Sequence, residues 1–266
     1  MNTQKLKKEV FSYWNQASCG TEYTDKTKFS KAYFEEIEQL RYTVEPEIFS
    51  FAQFSRYKDK KILEVGIGAG TDFLQWVRSG AYAYGIDLTD EAIQNVSERL
   101  SLYHLQAREI QVADAEAIPY EDNYFDLVYS WGVIHHSPDT EKCLKEIIRV
   151  TRPGGTIKIM VYNRHSLFAC YRYVLAALLK GKPFQSLKTI LYNYQESIGT
   201  KAYTIREIRK MVALYPVHII NIKATVTQHD LLYYKSKFVQ LLAYLAACIG
   251  GWRQVGWFMT IELKKQ

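Results

Sequence analysis

Residues 61–71 read KILEVGIGAGT, in which a short apolar run leads directly into a turn with three glycines. The apolar run is typical of a buried β-strand. Residues 71–80 follow as TDFLQWVRSG, which places Phe73, Leu74 and Val77 on one face of a helix. Glycine lets the backbone turn sharply and approach a ligand without a Cβ in the way. The stretch therefore predicts a strand, a ligand-binding turn and a helix.

The alternation of strand and helix continues along the chain. Further strands are predicted at AYAYGID (81–87), EIQVAD (109–114), FDLVYSWG (125–132), TIKIMVYN (156–163), VHIINIKATVT (217–227) and WFMTIELKK (257–265). Helices are predicted to begin at a Thr89 cap, at Ser137-Pro138, and at a capping box formed by Thr204 and Glu207. Strands joined by helices imply right-handed crossovers and a parallel sheet of the α/β class.

The chain divides into a shared core and three additional segments. Residues 1–60 look helical and are predicted to form an N-terminal segment or lid, and residues 61–164 with 200–266 to form the α/β core. Residues 165–199 and 230–252 are apolar insertions, each long enough to hold structure of its own. Extra core or a dimer face is one interpretation of these insertions. The other is a cap that selects an acceptor.

Composition excludes several classes of protein. With 48% hydrophobic and 23% charged residues in 266, the chain is expected to fold around a full core. The net charge of +6 comes from scattered lysines, so no nucleic-acid partner is expected, although a weak contact with an anionic membrane surface is compatible with them. The four cysteines are far apart, no metal site is readable, and no run reaches a membrane-spanning length of ~20 residues. A cytoplasmic location is therefore expected.

Polar residues that follow the predicted strands indicate a nucleoside site, because ligands of such sheets bind beyond the carboxyl ends of the strands. The turn has the spacing G-x-G-x-G, and Thr71 stands where a dinucleotide fingerprint has its third glycine. Asp87 ends the second strand, where its carboxylate could accept both ribose hydroxyls, and Asp114 could accept from an adenine amino group. For Asp87 alone, a helix cap or turn residue would be an equal explanation.

Five ordered motifs resemble those of the Rossmann-like (class I) S-adenosylmethionine-dependent methyltransferases. They are LEVGIGAGTD (63–72), YGIDLT (84–89), VADAEAIPY (112–120), FDLVYSWGVIHH (125–136) and RVTRPGGTIKIMVYN (149–163). The most similar subgroup is that of the ubiquinone/menaquinone-biosynthesis-like small-molecule methyltransferases. The resemblance implies a mainly parallel, seven-stranded sheet with helices on both faces and an antiparallel last strand. It also implies S-adenosyl-L-methionine as the cofactor and methyl transfer to a small-molecule or lipid-linked acceptor.

The resemblance also implies roles for individual residues. Glu64 and the backbone of Gly66, Gly68 and Gly70 would face the methionine end of the cofactor. Asp87 would bind the ribose, Leu88 would pack on the adenine, Asp114 and Ala115 would hold the adenine edge, and Ser130 would lie near the sulfonium. Tyr13, Trp14 and Asn15 would close over the cofactor, unless their helix merely packs on the sheet edge.

Candidate catalytic residues lie on the acceptor side. Methyl transfer is an in-line displacement, to which the protein may add a base if the acceptor carries a proton. His135 and His136 follow the fourth strand, and histidine titrates near neutrality, although either residue could instead pack or cap a helix. Glu196, in the string YQESIGTK (194–201), is a second candidate base.

Three other functions compete with this prediction. A cofactor-binding subunit or sensor would keep the nucleoside site without catalysis. An NAD(P) oxidoreductase is disfavoured by Thr71 and by the Asp114 motif. A nucleic-acid methyltransferase is disfavoured by the modest charge and by the lack of a DPPY-like motif. The sequence leaves open the oligomeric state and whether oxygen, nitrogen or carbon is methylated.

Overall fold

A computed structural model describes residues 2–266 of the chain. The helices are α1 Thr3–Gln16, α2 Lys31–Val44, α3 Glu47–Ala52, α4 Thr71–Arg78, α5 Asp90–Leu102, α6 Thr140–Val150, α7 Leu167–Ala176, α8 Leu187–Tyr194, α9 Ile205–Val212 and α10 Lys237–Gly250. The strands are β1 Lys61–Val65, β2 Tyr82–Asp87, β3 Glu109–Val112, β4 Phe125–Trp131, β5 Thr151–Asn163, β6 Ala202–Tyr203, β7 Val217–Thr225 and β8 Phe258–Lys265.

The strands form one mixed sheet in the order β3-β2-β1-β4-β5-β8-β7. Strands β1 to β5 pair in parallel, and β8 runs antiparallel to both β5 and β7. The mainly parallel sheet with an antiparallel last strand is therefore confirmed. An eighth strand, the two-residue β6, pairs with the end of β5 and was not predicted.

The apolar pattern of β1 explains why both faces of the sheet are covered. Ile62 packs into one core cluster with Phe73 of α4, whereas Leu63 and Val65 pack into a second cluster with Ile147 of α6. Successive side chains of a strand point to opposite faces, so a continuous apolar strand needs helices on both sides. The same alternation turns Glu64 toward the α4 side.

The predicted helix starts are confirmed in two cases and wrong in one. The Thr89 oxygen accepts from the Ala92 N–H, and Thr204 with Glu207 forms the full capping box. The helix predicted to begin at Ser137-Pro138 instead begins at Thr140, because the Asp139 side chain caps it by accepting from the Lys142 N–H.

The sequence Arg152-Pro153-Gly154-Gly155 also predicts a turn before the fifth strand, and that prediction is wrong. These residues lie inside β5, as a bulge across which the pairing with β4 shifts between Phe125 and Leu127. Gly154 takes a φ of 69°, which allows the extra residues to bulge out without ending the strand.

The segments outside the core are helical, as their sequence predicts. Helices α1, α2 and α3 lie within residues 1–60, α7 and α8 lie within the first insertion, and α10 occupies most of the second. None of the helices in residues 2–266 is long and apolar enough to cross a membrane.

Candidate active site

A cavity of about 610 Å³ opens at the carboxyl edge of the parallel strands. Its volume lies in the range of roughly 300–1,000 Å³ that is usual for small-molecule sites. Of the residues predicted to form the site, Trp14, Glu64, Gly66, Gly68, Asp87, Leu88, Asp114, Ala115, His136 and Glu196 line this cavity, with Tyr13 beside them. Residues that are far apart in sequence are thus brought to one place by the sheet topology.

The three glycines of the turn after β1 serve different purposes. All three have positive φ angles, of 82°, 49° and 75° at Gly66, Gly68 and Gly70. A Cβ on Gly66 would lie 2.2 Å from Val133, and one on Gly70 would lie 2.9 Å from Val96, so both are required by packing. A Cβ on Gly68 would meet no described atom within 4 Å and would enter the cavity. Gly68 is therefore the position that leaves space for a ligand.

Asp87 holds the same turn in place. One carboxylate oxygen accepts from the Gly68 N–H at 3.1 Å, and the other accepts from the Thr89 N–H and hydroxyl at 3.0 and 2.9 Å. Burial raises the pKa of Asp87, although these hydrogen bonds oppose the shift. Oδ1 has then accepted two hydrogen bonds and Oδ2 one, so Oδ2 keeps an acceptor site for a hydroxyl donor from a ligand.

Glu64 places a buried carboxylate on the cavity wall. It is 4% exposed and accepts one hydrogen bond of 2.8 Å from the Trp76 indole N–H. Burial, and then the charge of nearby Asp72, raise the pKa of Glu64 well above its usual range. Asp72 is itself satisfied by Arg41 at 3.1 Å and by the Tyr129 hydroxyl at 3.0 Å. A cationic ligand group beside Glu64 would offset the cost of this buried charge.

Helix α1 closes one side of the cavity with a face formed by Lys7, Val10, Tyr13 and Trp14. The Lys7 ammonium lies 2.6 Å from both the Asp114 and the Glu116 carboxylates. The predicted adenine acceptor is thus partly engaged by the lid, an arrangement that the sequence did not indicate.

At the other end of the cavity a histidine, a carboxylate and a phenol lie together. His136 Nε2 is 3.3 Å from a Glu196 oxygen, and the Tyr162 hydroxyl donates to Glu196 at 2.9 Å. His136 Nδ1 contacts the Thr200 hydroxyl at 3.0 Å. Because that hydroxyl donates its own proton to the Ser197 carbonyl, it can only accept from Nδ1–H. Nδ1 also lies 3.1 Å from the Ser197 hydroxyl, and Nε2 is buried beside the Glu196 carboxylate, so both ring nitrogens face neighbouring side chains.

Glu196 is held in a conformation that few residues adopt. Its φ is 54°, in the left-handed region that costs a non-glycine residue about 1–3 kcal/mol. Burial alone would raise its pKa, but the hydrogen bond and charge of His136, with hydrogen bonds from Tyr162 and Gln195, lower the pKa overall. Glu196 is therefore a carboxylate at neutral pH and stabilises positive charge on His136 Nε2.

Gly70, Ser130 and His135 lie outside the lining of the cavity. His135 is fully buried against the Tyr162 ring, at 4.0 Å between ring centroids, and neither of its nitrogens has a hydrogen-bond partner in residues 2–266. Burial, and then the charge of His136, lower its pKa well below the usual value. The geometry favours His136 over His135 as a group that reaches a ligand.

Several lining residues were not singled out from the sequence. They include Glu45, which accepts from the Trp131 indole at 2.8 Å, and His229, whose ring lies 3.9 Å from Glu45. Glu45 follows α2 and His229 follows β7, so no motif joins them. Only the fold brings these two side chains together.

A comparison with known families identifies the central part of this chain. Residues 63–159 match the family model described as "Methyltransferase domain". Residues 63–159 form a methyltransferase domain. It contains the glycine turn, Asp87, Asp114 and His136, and supplies about half of the residues that line the cavity. The subgroup predicted from the sequence stays a prediction.

Two curated relatives match part of this chain. Tocopherol O-methyltransferase of Arabidopsis thaliana is 36% identical over 114 residues, which are 42% of this chain and 33% of that protein. Norajmaline N-methyltransferase of Rauvolfia serpentina is 33% identical over 112 residues, which are 41% of this chain and 38% of that protein. The chain therefore matches less than two fifths of the length of either relative.

The fold of the whole chain resembles solved structures. Geranyl diphosphate C-methyltransferase from Streptomyces coelicolor, described in complex with Mg²⁺, geranyl diphosphate and S-adenosyl-L-homocysteine, has a TM-score of 0.66 at 13% identity. The similarity covers 98% of both chains. At this low identity, the similarity concerns the fold alone. It shows that the Rossmann-like fold with its additional segments is shared.

Proposed function

We propose that this chain is an S-adenosylmethionine-dependent methyltransferase that acts on a small-molecule or lipid-linked acceptor. The observation that carries the proposal is the two-ended cavity. The glycine turn and Asp87 of the methyltransferase domain form one end, and the pair His136–Glu196 forms the other. The names of the two relatives, which state O- and N-methylation of small molecules, support the class of reaction but not one acceptor atom.

The residues at the first end fit this cofactor. Gly68 leaves open space where a ligand can approach the backbone, and Asp87 Oδ2 keeps an acceptor site for a hydroxyl. Glu64 lies in the cavity as a buried carboxylate and suits the ammonium group of the methionine moiety. The cofactor supplies an activated methyl group on a sulfonium, so no further activation of the electrophile is needed.

The residues at the second end can remove a proton from the acceptor. Glu196, whose carboxylate lines the cavity, would accept the proton, while His136 Nε2 lies 3.3 Å from that carboxylate and Thr200 fixes the ring through Nδ1. Tyr162 holds the Glu196 carboxylate in turn. Glu196 would be the base in this proposal, with His136 as its positioning residue, and His135 would pack behind them.

Turnover against a metabolite and lipid extract tests the proposal. With S-adenosylmethionine added, mass spectrometry should show S-adenosylhomocysteine and an extract component heavier by one methyl group. Glu196→Gln should reduce the rate by about 10²–10⁴-fold and His136→Gln by about 10-fold or more, with little change in cofactor affinity in either variant. Glu98→Gln, at an exposed position of α5, is the matched control and should retain wild-type turnover. Cofactor binding without any methylated product would instead indicate a binding subunit or sensor.

A further inference from the structure

Helix α10 presents its apolar face to solvent rather than to the core. Its exposed large side chains include Phe238, Leu241, Leu242, Leu245 and Ile249, with exposed fractions of 68% at Phe238 and 89% at Ile249. Their spacing of three, four and seven residues places them on one side of the helix. A soluble helix normally turns such a stripe inward, so this face requires an apolar partner.

The first insertion carries a second exposed apolar face. Val174 and Leu175 on α7 are exposed, as are Leu178 and Leu179 in the turn that follows and Phe184 beyond it. Together with the α10 stripe we call these residues the apolar surface. Single exposed apolar residues are normal, but two faces on packed neighbouring helices are not.

The same two insertions form part of the cavity wall. Phe168 and Arg172 of α7 line the cavity, and so does Tyr233, which precedes α10. The insertions contact each other where the Lys235 ammonium lies 5.9 Å from the centroid of the Tyr171 ring. The apolar surface is therefore carried by the elements that also enclose the acceptor end of the site.

The basic and the acidic residues of the two insertions lie in different places. Their basic residues are Arg172, Lys180, Lys182, Lys188, Lys235 and Lys237, and all five lysines are exposed. Their two acidic residues face inward. Glu196 lines the cavity, and Asp230 is 1% exposed and accepts from the Trp257 N–H at 2.8 Å. Apart from Glu196 in the cavity, the exposed charged residues of the two insertions are thus all lysines.

We propose that the apolar surface docks on a membrane that contains anionic lipids. An amphipathic helix with apolar side chains bordered by lysines is suited to lie in the plane of a lipid interface. Tyr244 of α10 and Trp252, which follows the helix, are exposed and have the ring chemistry that favours the headgroup level. A second copy of the chain is a poorer occupant, because a two-fold contact would bring these lysines against one another.

Docking here would define the class of acceptor. The insertions would hold the acceptor end of the cavity at the lipid interface, where a molecule that partitions into the membrane can enter directly. The acceptor is then an amphiphile with an apolar body. This consequence rests on the proposed function, whereas docking itself requires neither cofactor nor turnover.

Cosedimentation of the full chain with vesicles tests the docking. The probes are vesicles of phosphatidylcholine alone and vesicles of phosphatidylcholine with phosphatidylglycerol. We expect binding to the second kind, weakened by salt. Lys235→Ala with Lys237→Ala should reduce it about thirtyfold, since each lysine near an anionic surface contributes about 1 kcal/mol. The control pair Lys142→Ala and Lys145→Ala, on exposed positions of α6, should leave binding unchanged.

A second set of variants tests the apolar contribution. Leu241→Ser with Leu245→Ser should reduce vesicle binding at least tenfold, because both leucines would enter the interface. The control is Leu214→Ser, at a position that is 74% exposed outside the insertions. Circular dichroism and S-adenosylhomocysteine binding establish that each variant is folded.

Three results would overturn the docking proposal. The first is no binding to either kind of vesicle, and the second is binding that both variant pairs leave intact. The third is a dimer in solution that Leu241→Ser with Leu245→Ser dissociates, with no binding to vesicles. If vesicle binding stands but no extract component is methylated, the proposed function fails and the docking does not.

Discussion

A substitution at Gly68 tests the cofactor assignment directly. Gly68→Val should place its side chain in open cavity space and abolish S-adenosylhomocysteine binding, measured by calorimetry. Gly154→Val is a matched control, because Gly154 also has a positive φ, of 69°, and no described neighbour within 4 Å of a built Cβ. Both variants should lose about 1–3 kcal/mol of stability through backbone strain. Wild-type affinity in folded Gly68→Val would remove the assignment.

The buried carboxyl group of Glu64 should lower the stability of the fold and strengthen cofactor binding. Because burial raises its pKa, the folded state binds more protons than the unfolded state between the unfolded and folded pKa values, so its ionisation destabilises the fold as pH rises through that range. Glu64→Gln should therefore raise the free energy of unfolding at pH 7 and weaken cofactor binding, while its oxygen still accepts from Trp76. Urea denaturation should show the stability gain shrinking toward pH 4. A gain that is the same at both pH values would contradict this account.

At the scale of single residues, the sequence predicts the site residues that belong to its motifs. It misses the contacts between residues that only the fold brings together. The glycine turn, Asp87, Asp114 and His136 follow strand ends and are brought to the cavity. His135 and His136 were both candidates from their chain position, but in the turn after β4 only His136 lines the cavity, because the ring of His135 is buried against Tyr162. The Lys7 pair with Asp114 joins residues more than a hundred positions apart, so no local pattern could indicate it.

Helix α1 is the element whose role as a lid can be measured directly. Lys7→Ala removes the ammonium between Asp114 and Glu116, and a partly exposed ion pair contributes about 0.2–1 kcal/mol. We expect S-adenosylhomocysteine to dissociate up to about fivefold faster, measured by stopped-flow displacement. Lys8→Ala, at an exposed position of the same helix, is the control. Equal dissociation rates in both variants would mean that α1 merely packs on the core.

Helix starts could be predicted where they depend on side chains that are close in sequence. The capping box at Thr204 and the cap at Thr89 satisfy free N–H groups with side chains nearby in sequence, so both were found. The bulge at Gly154 and the strand β6 depend on how β5 pairs with its neighbours. Pairing across a sheet is a long-range contact, and for that reason Arg152–Gly155 looked like a turn.

At the scale of the whole molecule, the order of strands and helices determined the architecture. A parallel sheet with right-handed crossovers leaves few arrangements, and all of them place the ends of β1 and β2 at one edge. The functions of residues 165–199 and 230–252 were not determined in this way, since apolar helices serve as core, interface or cap alike. That their apolar faces are exposed can be known only from the structure, in which the two core clusters cover the sheet without the side chains of those faces.

Calorimetric titration with S-adenosylhomocysteine tests the central claim most directly. The account predicts micromolar binding to the wild-type chain. It also predicts a loss of about 1.5–3 kcal/mol in Asp87→Ala, which removes the charged acceptor of a ligand hydroxyl. NADH should give no heat in the same cell. Absence of S-adenosylhomocysteine binding by the folded wild-type protein, or equal binding by Asp87→Ala, would contradict the account.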